Sequence, residues 1–362
     1  MADVTVEIRQ PFPPHALLTL VRYSALSYGF LLGGVGSASF GVSRADEALL
    51  DTPGFFQEGK VVTIRRDDGA LPWAGYITGT RISLDDPVVG FECQEASGAL
   101  FDWAHTAQQW SERQLSASQW LRWAFADVNG RGIPPLMVQL APFEGGPAIK
   151  VSPQANSFRS FLDTIAEFAD WEWSLHHRLG RQTVVTELVL QERIGRDYTS
   201  ELIFEEGVQF TAAERVTDVT GFIQSSLVVG GSGTFQQRPS VQVVQTGSGE
   251  TGVTTQRRTG AVSTSPAKAG SRVIIEPSVT NEPALRASAR RQYRISANVG
   301  ERMVLGLYED AINMHQIALG GIYRVRFDDL NLGRPMERKV RILGIKLGVD
   351  GVVEPVVEVE RA

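Results

Sequence analysis

Short runs in which apolar and polar residues alternate dominate the first third of the chain and predict β-strands. In the stretch GKVVTIRRDDG, Val62 and Ile64 share one face of a strand and Thr63 takes the other, because successive side chains of a strand point to opposite faces. The Asp-Asp-Gly sequence ending at Gly69 supplies a tight turn, since these residues tolerate positive φ, and Trp73 opens a second strand. Strands are predicted in this third at 3–9, 16–23, 37–43, 60–66, 73–84 and 87–93.

Helical periodicity replaces this alternation in the middle of the chain. In SFRSFLDTIAEFAD, residues 157–170, apolar residues recur at i, i+3, i+4 and i+7, and Asn156 or Ser157 supplies the N-cap. Helices are also predicted at 94–110 and 116–128, and strands at 171–177 and 182–190. We therefore interpret residues 113–200 as an α+β insertion domain.

The strand pattern returns after the insertion and continues to the end of the chain. One long interruption, 231–271, is rich in Gly, Ser, Thr and Gln and is predicted to be a long flexible loop, in which Ser240–Gln245 can form an extended strand. A helix is predicted at 282–297, with Asn281 as its cap and Pro283 in its first turn. The later strands are predicted at 201–205, 208–219, 222–229, 301–308, 322–327, 338–348 and 352–359.

The opening hairpin sequence recurs near the end of the chain. GKVVTIRRDDGALPWAGYITGTRISL and GIYRVRFDDLNLGRPMERKVRILGIKL, residues 321–347, each run from Gly through Val and Arg to an Asp pair, a turn and a long strand. Internal repetition indicates two related units in one chain. The predicted fold is mainly β with an α+β insertion: two related β-barrel tube domains plus the smaller insertion domain. The first barrel is assigned to 1–112, completed by 201–230, and the second to 272–362.

Composition and charge narrow the class of protein. The chain has 362 residues, of which 43% are hydrophobic and 21% charged, as in a foldable protein with ample core. Its net charge of −6 argues against a protein that grips nucleic acid, because such proteins usually carry a basic surface. The first residues show no secretion-signal pattern, and no apolar run reaches the roughly 20 residues that span a bilayer. The single cysteine, Cys93, lies in the apolar run VVGFEC and is interpreted as a small core residue of a protein made in a reducing compartment.

No arrangement of side chains in the sequence predicts an enzyme, a metal site or a cofactor site. His176 and His177 are adjacent in a predicted strand and face opposite sides, which disfavours a shared metal ion. The pairs of aspartates fall at strand ends and turns, where acids are common for backbone reasons. GGVGSASFG at 33–41 lacks the Gly-Lys-Ser/Thr ending of a phosphate loop, and GVSRA lacks the second glycine of a nucleophile elbow.

A stripe of arginines marks the helix predicted at 282–297. Arg286, Arg290 and Arg294 recur at intervals of four residues and therefore share one helical face. The aromatic or groove-reading partners that a nucleic-acid site needs do not accompany them. We interpret the stripe as a solvated or subunit-facing surface.

Several stretches resemble the hub proteins of bacteriophage tails, which are the baseplate hub of contractile tails and the equivalent tail-tip, or Tal-like, protein of siphophages. FGVSRADEALLDTPGFFQEGKVVTIRRDDGALPWAGYI is similar to the first barrel of that family, with its Gly-x-Val-x-Ile/Leu and Gly-x-Ile elements. SFRSFLDTIAEFADWEWSL resembles the family's insertion helix and the following strand, and VTDVTGFIQSSLVVGG the strand that closes the first barrel. VTNEPALRASARRQYRISAN resembles the helix inside the second barrel, and LGGIYRVRFDDL the next strand. The residues that fill the two barrel elements are Gly59, Val62, Ile64, Gly75 and Ile77.

This resemblance implies a structural protein of the virion tail tip, made in the host cytoplasm and without catalytic activity. Three subunits would form a homotrimeric ring of six barrels, a symmetry adaptor between the tip and the six-fold tail tube. The implied partners are the tail tube and distal tail proteins, the tape measure protein and other tail-tip or fibre proteins, with DNA passing through the lumen at ejection without specific binding. No membrane insertion by this chain is expected, and because it ends on a strand at residue 362, host binding and lysis are expected of other proteins.

The resemblance also gives the opening hairpin a role. Its edge is expected to pair with a strand of a neighbouring subunit, and its polar face to line an open lumen. The candidate interface elements are 60–84, 321–347 and the arginine helix at 286–294. The candidate interface residues are Arg65, Arg66, Trp73, Arg286, Arg290, Arg294, Arg324 and Arg326.

Two other functions remain open at the level of the sequence. A tail-associated carbohydrate-binding adhesin is suggested by the seven tryptophans, although four of them lie at or near helical spacing, which favours packing. These four are Trp103, Trp110, Trp120 and Trp123. A cell-wall hydrolase requires paired carboxylates in a cleft or a set of metal ligands, and the spacing offers neither.

Overall fold

The computed structural model is a mainly β chain in which one large sheet, the main sheet, takes strands from both ends of the sequence. This main sheet has 13 strands, and three smaller sheets accompany it. The structure describes residues 3–83, 85–95, 113–130, 138–142, 145–146, 148–151, 157–181, 183–218, 225–230, 239–246, 249–257, 271–276, 300–308, 312–329, 334–348 and 352–360.

Seven N-terminal strands form the first half of the main sheet. They are β1 (Val4–Arg9), β2 (Leu17–Leu20), β3 (Tyr23–Leu31), β4 (Ser37–Ser43), β5 (Val61–Arg66), β6 (Trp73–Ile82) and β7 (Val88–Glu95). Their order across the sheet is β3-β4-β7-β6-β5-β1-β2, and each neighbouring pair is antiparallel. A short helix, α1 (Glu47–Asp51), and a 3₁₀ turn at Pro53–Phe56 connect β4 to β5.

The insertion builds a separate small core. Its elements are β8 (Arg113–Ser116), α2 (Ala117–Gly130), β9 (Val138–Leu140), β10 (Ala148–Val151), α3 (Phe158–Ala169), β11 (Glu172–Leu179) and β12 (Val184–Gln191). The apolar stripe of α3 packs against α2 and against β11, so that Trp120, Leu162 and Trp173 share one buried cluster. This arrangement confirms the predicted α+β character of the segment.

The C-terminal region contains ten strands in two sheets. They are β13 (Ile203–Glu205), β14 (Phe210–Asp218), β15 (Ser225–Gly230), β16 (Pro239–Thr246), β17 (Gly249–Arg257), β18 (Ser271–Glu276), β19 (Gly300–Tyr308), β20 (Ile322–Asp329), β21 (Arg334–Gly348) and β22 (Val352–Glu360). Six of them form the second half of the main sheet, in the order β14-β19-β22-β21-β20-β13. A turn joins β13 to β14, with the Gly207 amide donating to the Phe210 carbonyl at 2.8 Å. The first and last strands of this order, β14 and β13, are therefore next to each other in the chain and joined by a tight turn.

The two halves meet where β3 pairs with β21, a junction that we call the seam. The seam is an antiparallel ladder from Leu31 opposite Gly344 to Ser27 opposite Gly348. Buried residues of both halves belong to one continuous hydrophobic core. On β21 the apolar alternation slips by one residue after Ile342, and a bulge there absorbs the extra residue, so that the same face of the strand stays buried.

The strand pairing corrects two of the predicted boundaries. Residues 201–230 were predicted to complete the first barrel, but β13 pairs with β20 and β14 with β19, both in the second half, while β15 joins a four-stranded sheet of order β17-β16-β15-β18. The pairing partners lie far along the chain, where local periodicity carries no information. The segment predicted as a flexible loop, 231–271, contains β16 and β17, because its Val and Thr residues form an antiparallel hairpin.

Two predicted helices fall on parts of the chain that the structure leaves undescribed. Residues 282–297 lie wholly outside the described residues. Of 94–110, only the first two residues are described, and they belong to β7. Strand β3 was not predicted, although its buried Leu26, Tyr28 and Phe30 alternate with exposed or half-buried neighbours.

Candidate assembly surfaces

Both faces of β5 are covered within the chain. Val62 and Ile64 belong to the main core, and Thr63 on the opposite face is just as inaccessible to solvent. Trp73, at the start of β6, is 0% exposed and packs in the same core. The prediction that Trp73 contributes to an interface is therefore wrong, because its indole is already used to fill the interior of its own chain.

The turn between β5 and β6 fits against the second half of the sheet. Gly69 has a φ of 81°, and the ring of His315 lies where a Cβ would be, 1.9 Å from Cε1. Arg66, 9% exposed, donates to the Asp68 carboxylate at 2.7 Å and to the Gly348 carbonyl at 3.4 Å. Burial raises the pKa of Asp68, but the hydrogen bond from Arg66, the backbone amide hydrogen bonds and the Arg66 charge together outweigh it and hold that pKa below its usual value. Arg66 thus joins the two halves and is not the exposed interface residue that was predicted.

The polar face of β5 contacts the turn that follows β11. Arg65 donates to the Gly180 carbonyl at 3.2 Å. Arg9 of β1, which is 3% exposed, donates to the Arg181 carbonyl at 2.8 Å. This face was predicted to line an open lumen, but the insertion covers it, because its turn presents carbonyl groups that accept from both guanidinium groups.

The hairpins predicted to offer edges are internal to the sheet. β5 lies between β1 and β6, and β20 lies between β13 and β21. The first residues of β6 are likewise paired on both sides, and beyond Ile77 the described part of the chain pairs β6 with β7 alone. Among the described residues β5 is paired on both sides by strands of the same chain, so the outer end of β6 is the part of the hairpin left for the expected pairing with a neighbouring subunit, which stays a prediction.

Exposed apolar side chains cluster instead around β2, which ends the main sheet. Leu17 and Leu20 on this strand are 48% and 58% exposed, and Phe12 in the preceding turn is 58% exposed. Among the described residues, β1 is the only strand that pairs with β2. This surface was not predicted from the sequence, although the apolar residues of PFPPHALLTL lie beside three prolines there.

Two of the predicted arginines lie on the outer face of β20. Arg326 contacts Glu205 at 2.5 Å and Glu337 at 3.3 Å, and its side chain is 46% exposed. Arg324 lies 3.5 Å from Glu337 and donates to the Thr199 carbonyl at 2.5 Å. Arg286, Arg290 and Arg294 lie outside the described residues. The candidate interface residues are therefore not gathered into one site in the described part of the chain.

A groove of about 640 Å³ crosses the seam on the surface of the main sheet. Strands of both halves line it, with small residues such as Ser37 and Gly344 and the charged side chains of Glu92 and Lys346. Lys346 is paired with Glu354 at 2.8 Å. The groove thus combines small residues, the Glu92 carboxylate and a lysine that is already paired within the chain.

A buried polar network joins β7 to the insertion. Glu95, 2% exposed, accepts from the Gly36 amide and lies 3.0 Å from Nε2 of His177. Nδ1 of His177 lies 2.9 Å from the Thr186 hydroxyl. His177 is buried and His176 exposed, which confirms that the two imidazoles face opposite sides. The network is closed to solvent and joins β7 to the insertion through buried hydrogen bonds.

The remaining candidate chemistry is also structural. Cys93 is 4% exposed in the core, as predicted, and burial, with a smaller contribution from Glu92, raises the pKa of its thiol to about 12. Within the described ranges, no group of three or more His, Cys, Asp or Glu is placed to hold a metal ion. Trp120 is 2% exposed, whereas Trp123 beside it is 36% exposed. No helix in the described residues is long and apolar enough to cross a membrane.

Comparison of the fold with solved structures identifies proteins of similar architecture. A tail protein from Neisseria meningitidis matches with a TM-score of 0.58 and 15% identity, over 99% of this chain and 96% of that protein. The 43 kDa tail protein of prophage MuSo2 from Shewanella oneidensis matches with a TM-score of 0.62 and 11% identity, over 100% and 98%. The Escherichia coli protein c3393, a type VI secretion component described as structurally similar to bacteriophage T4 gp27 and gp5, matches with a TM-score of 0.51 and 9% identity, over 100% and 77%.

The sequence itself matches no family model and no curated protein. The likenesses therefore concern the fold. The chain has the fold of phage tail proteins and of a secretion component that is structurally similar to bacteriophage T4 tail proteins, which confirms at the level of the fold the resemblance inferred from the sequence.

Proposed function

We propose that this protein is a structural hub of a bacteriophage tail tip or baseplate, and that it works as a homotrimer. The observation that carries the proposal is the continuous main sheet, in which each chain contributes two halves of similar hairpin construction side by side. Three copies of such a chain present six halves around one axis. That number is what a trimer needs to match a six-fold tail tube.

In this role the protein acts through assembly and not through catalysis. The ring caps or nucleates the tail tube, contacts distal tail and fibre proteins, and leaves a channel for the tape measure protein and then for DNA. A net charge of −6 suits a wall past which a polyanion moves without being held. The protein then resides in the virion tail tip after synthesis in the host cytoplasm.

The oligomer is tested on purified full-length protein by mass photometry over a concentration series, followed by cryo-electron microscopy of the largest species. The expected result is a three-fold ring with six lobes and an open centre. If the ring needs its neighbours, purified tail tube protein added at equimolar ratio yields the three-fold ring at the tube end. A two-fold dimer, a ring with a closed centre, or monomers that ignore the tube would contradict the proposal.

A further inference from the structure

Strand β11 and the two residues after it lie across the main sheet. Their contacts, taken along the chain, follow the order of the strands in that sheet. Starting from Glu172, the chain meets β21, then the turn after β3, then β7, then β5 and β6, and finally β1 at Arg181. The order of these strands in the sheet is β21-β3-β4-β7-β6-β5-β1. We call residues 172–181 the cross-strand segment.

Simple dimensions agree with this path. The cross-strand segment is extended over most of its length, and nine steps of about 3.3 Å reach about 30 Å. The strands from β21 to β1 are separated by six spacings, each about 4.8 Å, or about 29 Å in all. The segment is therefore long enough to cross the seam and reach the far side of the first half.

A two-pronged ion pair fixes the segment to the second half. The Arg341 guanidinium on β21 donates to both carboxylate oxygens of Glu172, at 2.6 and 2.5 Å. Arg341 also donates to the carbonyls of Ile194 at 2.8 Å and Gly320 at 3.2 Å, and the Ile194 amide donates to Glu172 at 2.8 Å. The Arg341 and Glu172 side chains are only 11% and 14% exposed, so solvent screens this pair weakly.

The middle of the segment is tied to the first half close to the seam. The Gly33 amide, in the turn after β3, donates to the Trp173 carbonyl at 2.8 Å. Further along, His177 lies within hydrogen-bond distance of Glu95 at the end of β7. These two contacts lie on the opposite side of the seam from Arg341.

The end of the cross-strand segment near Arg181 is held by apolar contacts and by hydrogen bonds to backbone carbonyls. Val184 packs with Val61 and Ala74, with Leu179 against the same cluster. The carbonyls of the following turn accept from Arg65 and Arg9, as described above. The seam is thus bridged by one continuous segment with a strong anchor at each end.

We propose that the cross-strand segment is a strap that holds the two halves of the main sheet at a fixed angle. The two halves also meet through the β3–β21 ladder, the shared core and the contacts of Arg66 and Gly69 with the second half. The strap adds anchors on both sides of the seam to these contacts. These anchors resist bending at the seam because they lie on both sides of it. This property belongs to the single chain and does not depend on the proposed oligomer.

The strap is tested by releasing its anchor on the second half. Spin labels are placed at Thr80→Cys in the first half and Asp328→Cys in the second, both exposed positions, while the buried Cys93 stays unlabelled. The labelled chain is diluted into excess unlabelled protein, and the distance distribution is measured by double electron–electron resonance. Glu172→Gln combined with Arg341→Met removes the ion pair without leaving either charge buried alone.

We expect this double variant to widen the distance distribution and to accelerate amide exchange at the seam roughly tenfold, while the β5 and β20 cores stay protected. The matched control is Arg178→Ala on the same strand, which removes a pair whose arginine is 73% exposed and should change neither readout. An unchanged distribution and unchanged exchange at the seam, in a folded double variant, would overturn the proposal. If the double variant does not fold, Arg341→Lys is measured in the same way, since it keeps the charge but loses the two-pronged contact with Glu172; unchanged distances and exchange in this folded variant would overturn the proposal.

Discussion

At the scale of single residues, the contact between Gly69 and His315 shows how closely the two halves approach. The left-handed φ of Gly69 already favours glycine, and the imidazole of His315 occupies the space of a side chain at that position. Gly59 has nearly the same φ, 82°, but no atom lies within 4 Å of the position of its Cβ. Comparing substitutions at these two glycines therefore distinguishes the cost of backbone strain from the cost of close packing.

We expect Gly69→Ala to lower the free energy of unfolding by about 2–4 kcal/mol, the sum of left-handed strain and overpacking against His315. Gly59→Ala carries the strain alone and should cost about 1–2 kcal/mol. Urea unfolding measures both, and Gly69→Ala with His315→Ala should recover part of the difference. Equal losses for the two single variants would show that the contact with His315 contributes nothing.

A second prediction at this scale concerns the thiol of Cys93. Because burial raises its pKa to about 12, almost no thiolate is present at pH 8 and the sulfur is out of reach of reagents. We expect native protein to leave a disulfide reagent such as Ellman's reagent unreacted, and protein in denaturant to release one equivalent of chromophore. Rapid reaction of the native protein would contradict the assignment of Cys93 to the core.

Arg65 and Trp73 show that the tertiary surroundings of a side chain are not predictable from its local sequence. Alternation along β5 was read correctly, and it placed Thr63 and Arg65 on a polar face. The sequence carried no sign that Gly180 and Arg181, more than a hundred positions later, would place carbonyl acceptors against this side of the sheet. The polar face of a strand can be covered by solvent, by a lumen or by another domain. Only the tertiary structure shows which of these covers it.

At the scale of elements, local signals located the helices predicted at 116–128 and 157–170, but they did not identify strand partners. The helix predicted at 157–170 is observed as α3, Phe158–Ala169. This prediction is confirmed because the residues that cap the helix, form its apolar stripe and end it are all close together in the sequence. Strand β3 was missed because its outward positions hold Ser and Gly, which weaken the alternation. The assignment of β13 and β14 to the wrong half has another cause, since pairing depends on residues distant in the chain.

Substitutions at the two ends of α3 are expected to change the stability of the protein in opposite directions. Ser157 caps the helix by accepting from the Ser160 amide at 3.3 Å, so Ser157→Ala should lower stability by about 1 kcal/mol. Asp170 ends the helix with a φ of 54°, so Asp170→Gly should raise stability by up to about 1 kcal/mol. Thermal unfolding followed by circular dichroism measures both. Shifts of the same sign would mean that the cap geometry does not govern this helix.

At the scale of the whole molecule, the proposed trimer makes the outer face of β20 a place to test assembly. We expect Arg324→Glu with Arg326→Glu to reduce trimer formation at least tenfold, because both arginines lie on a partly exposed face with their charges turned outward. The reversal also places like charges beside Glu205 and Glu337 within the chain, so the melting temperature should fall modestly and is measured alongside the trimer fraction. Mass photometry at fixed concentration measures the trimer fraction.

Arg178→Glu, on the insertion, is the matched charge reversal and should leave the trimer fraction unchanged. Equal trimer fractions for the β20 variant and the wild-type chain would remove this face from the proposed interface. A loss in both variants would point to net charge rather than to a specific contact.

The pairing of β3 with β21 has a consequence for biosynthesis. The two strands come from opposite ends of the sequence, so β3 leaves the ribosome long before its partner exists. During translation one edge of the first half stands open, with Leu26, Tyr28 and Phe30 belonging to a core that still lacks its second half. The nascent chain therefore keeps an unpaired strand edge beside an incomplete core until β21 emerges.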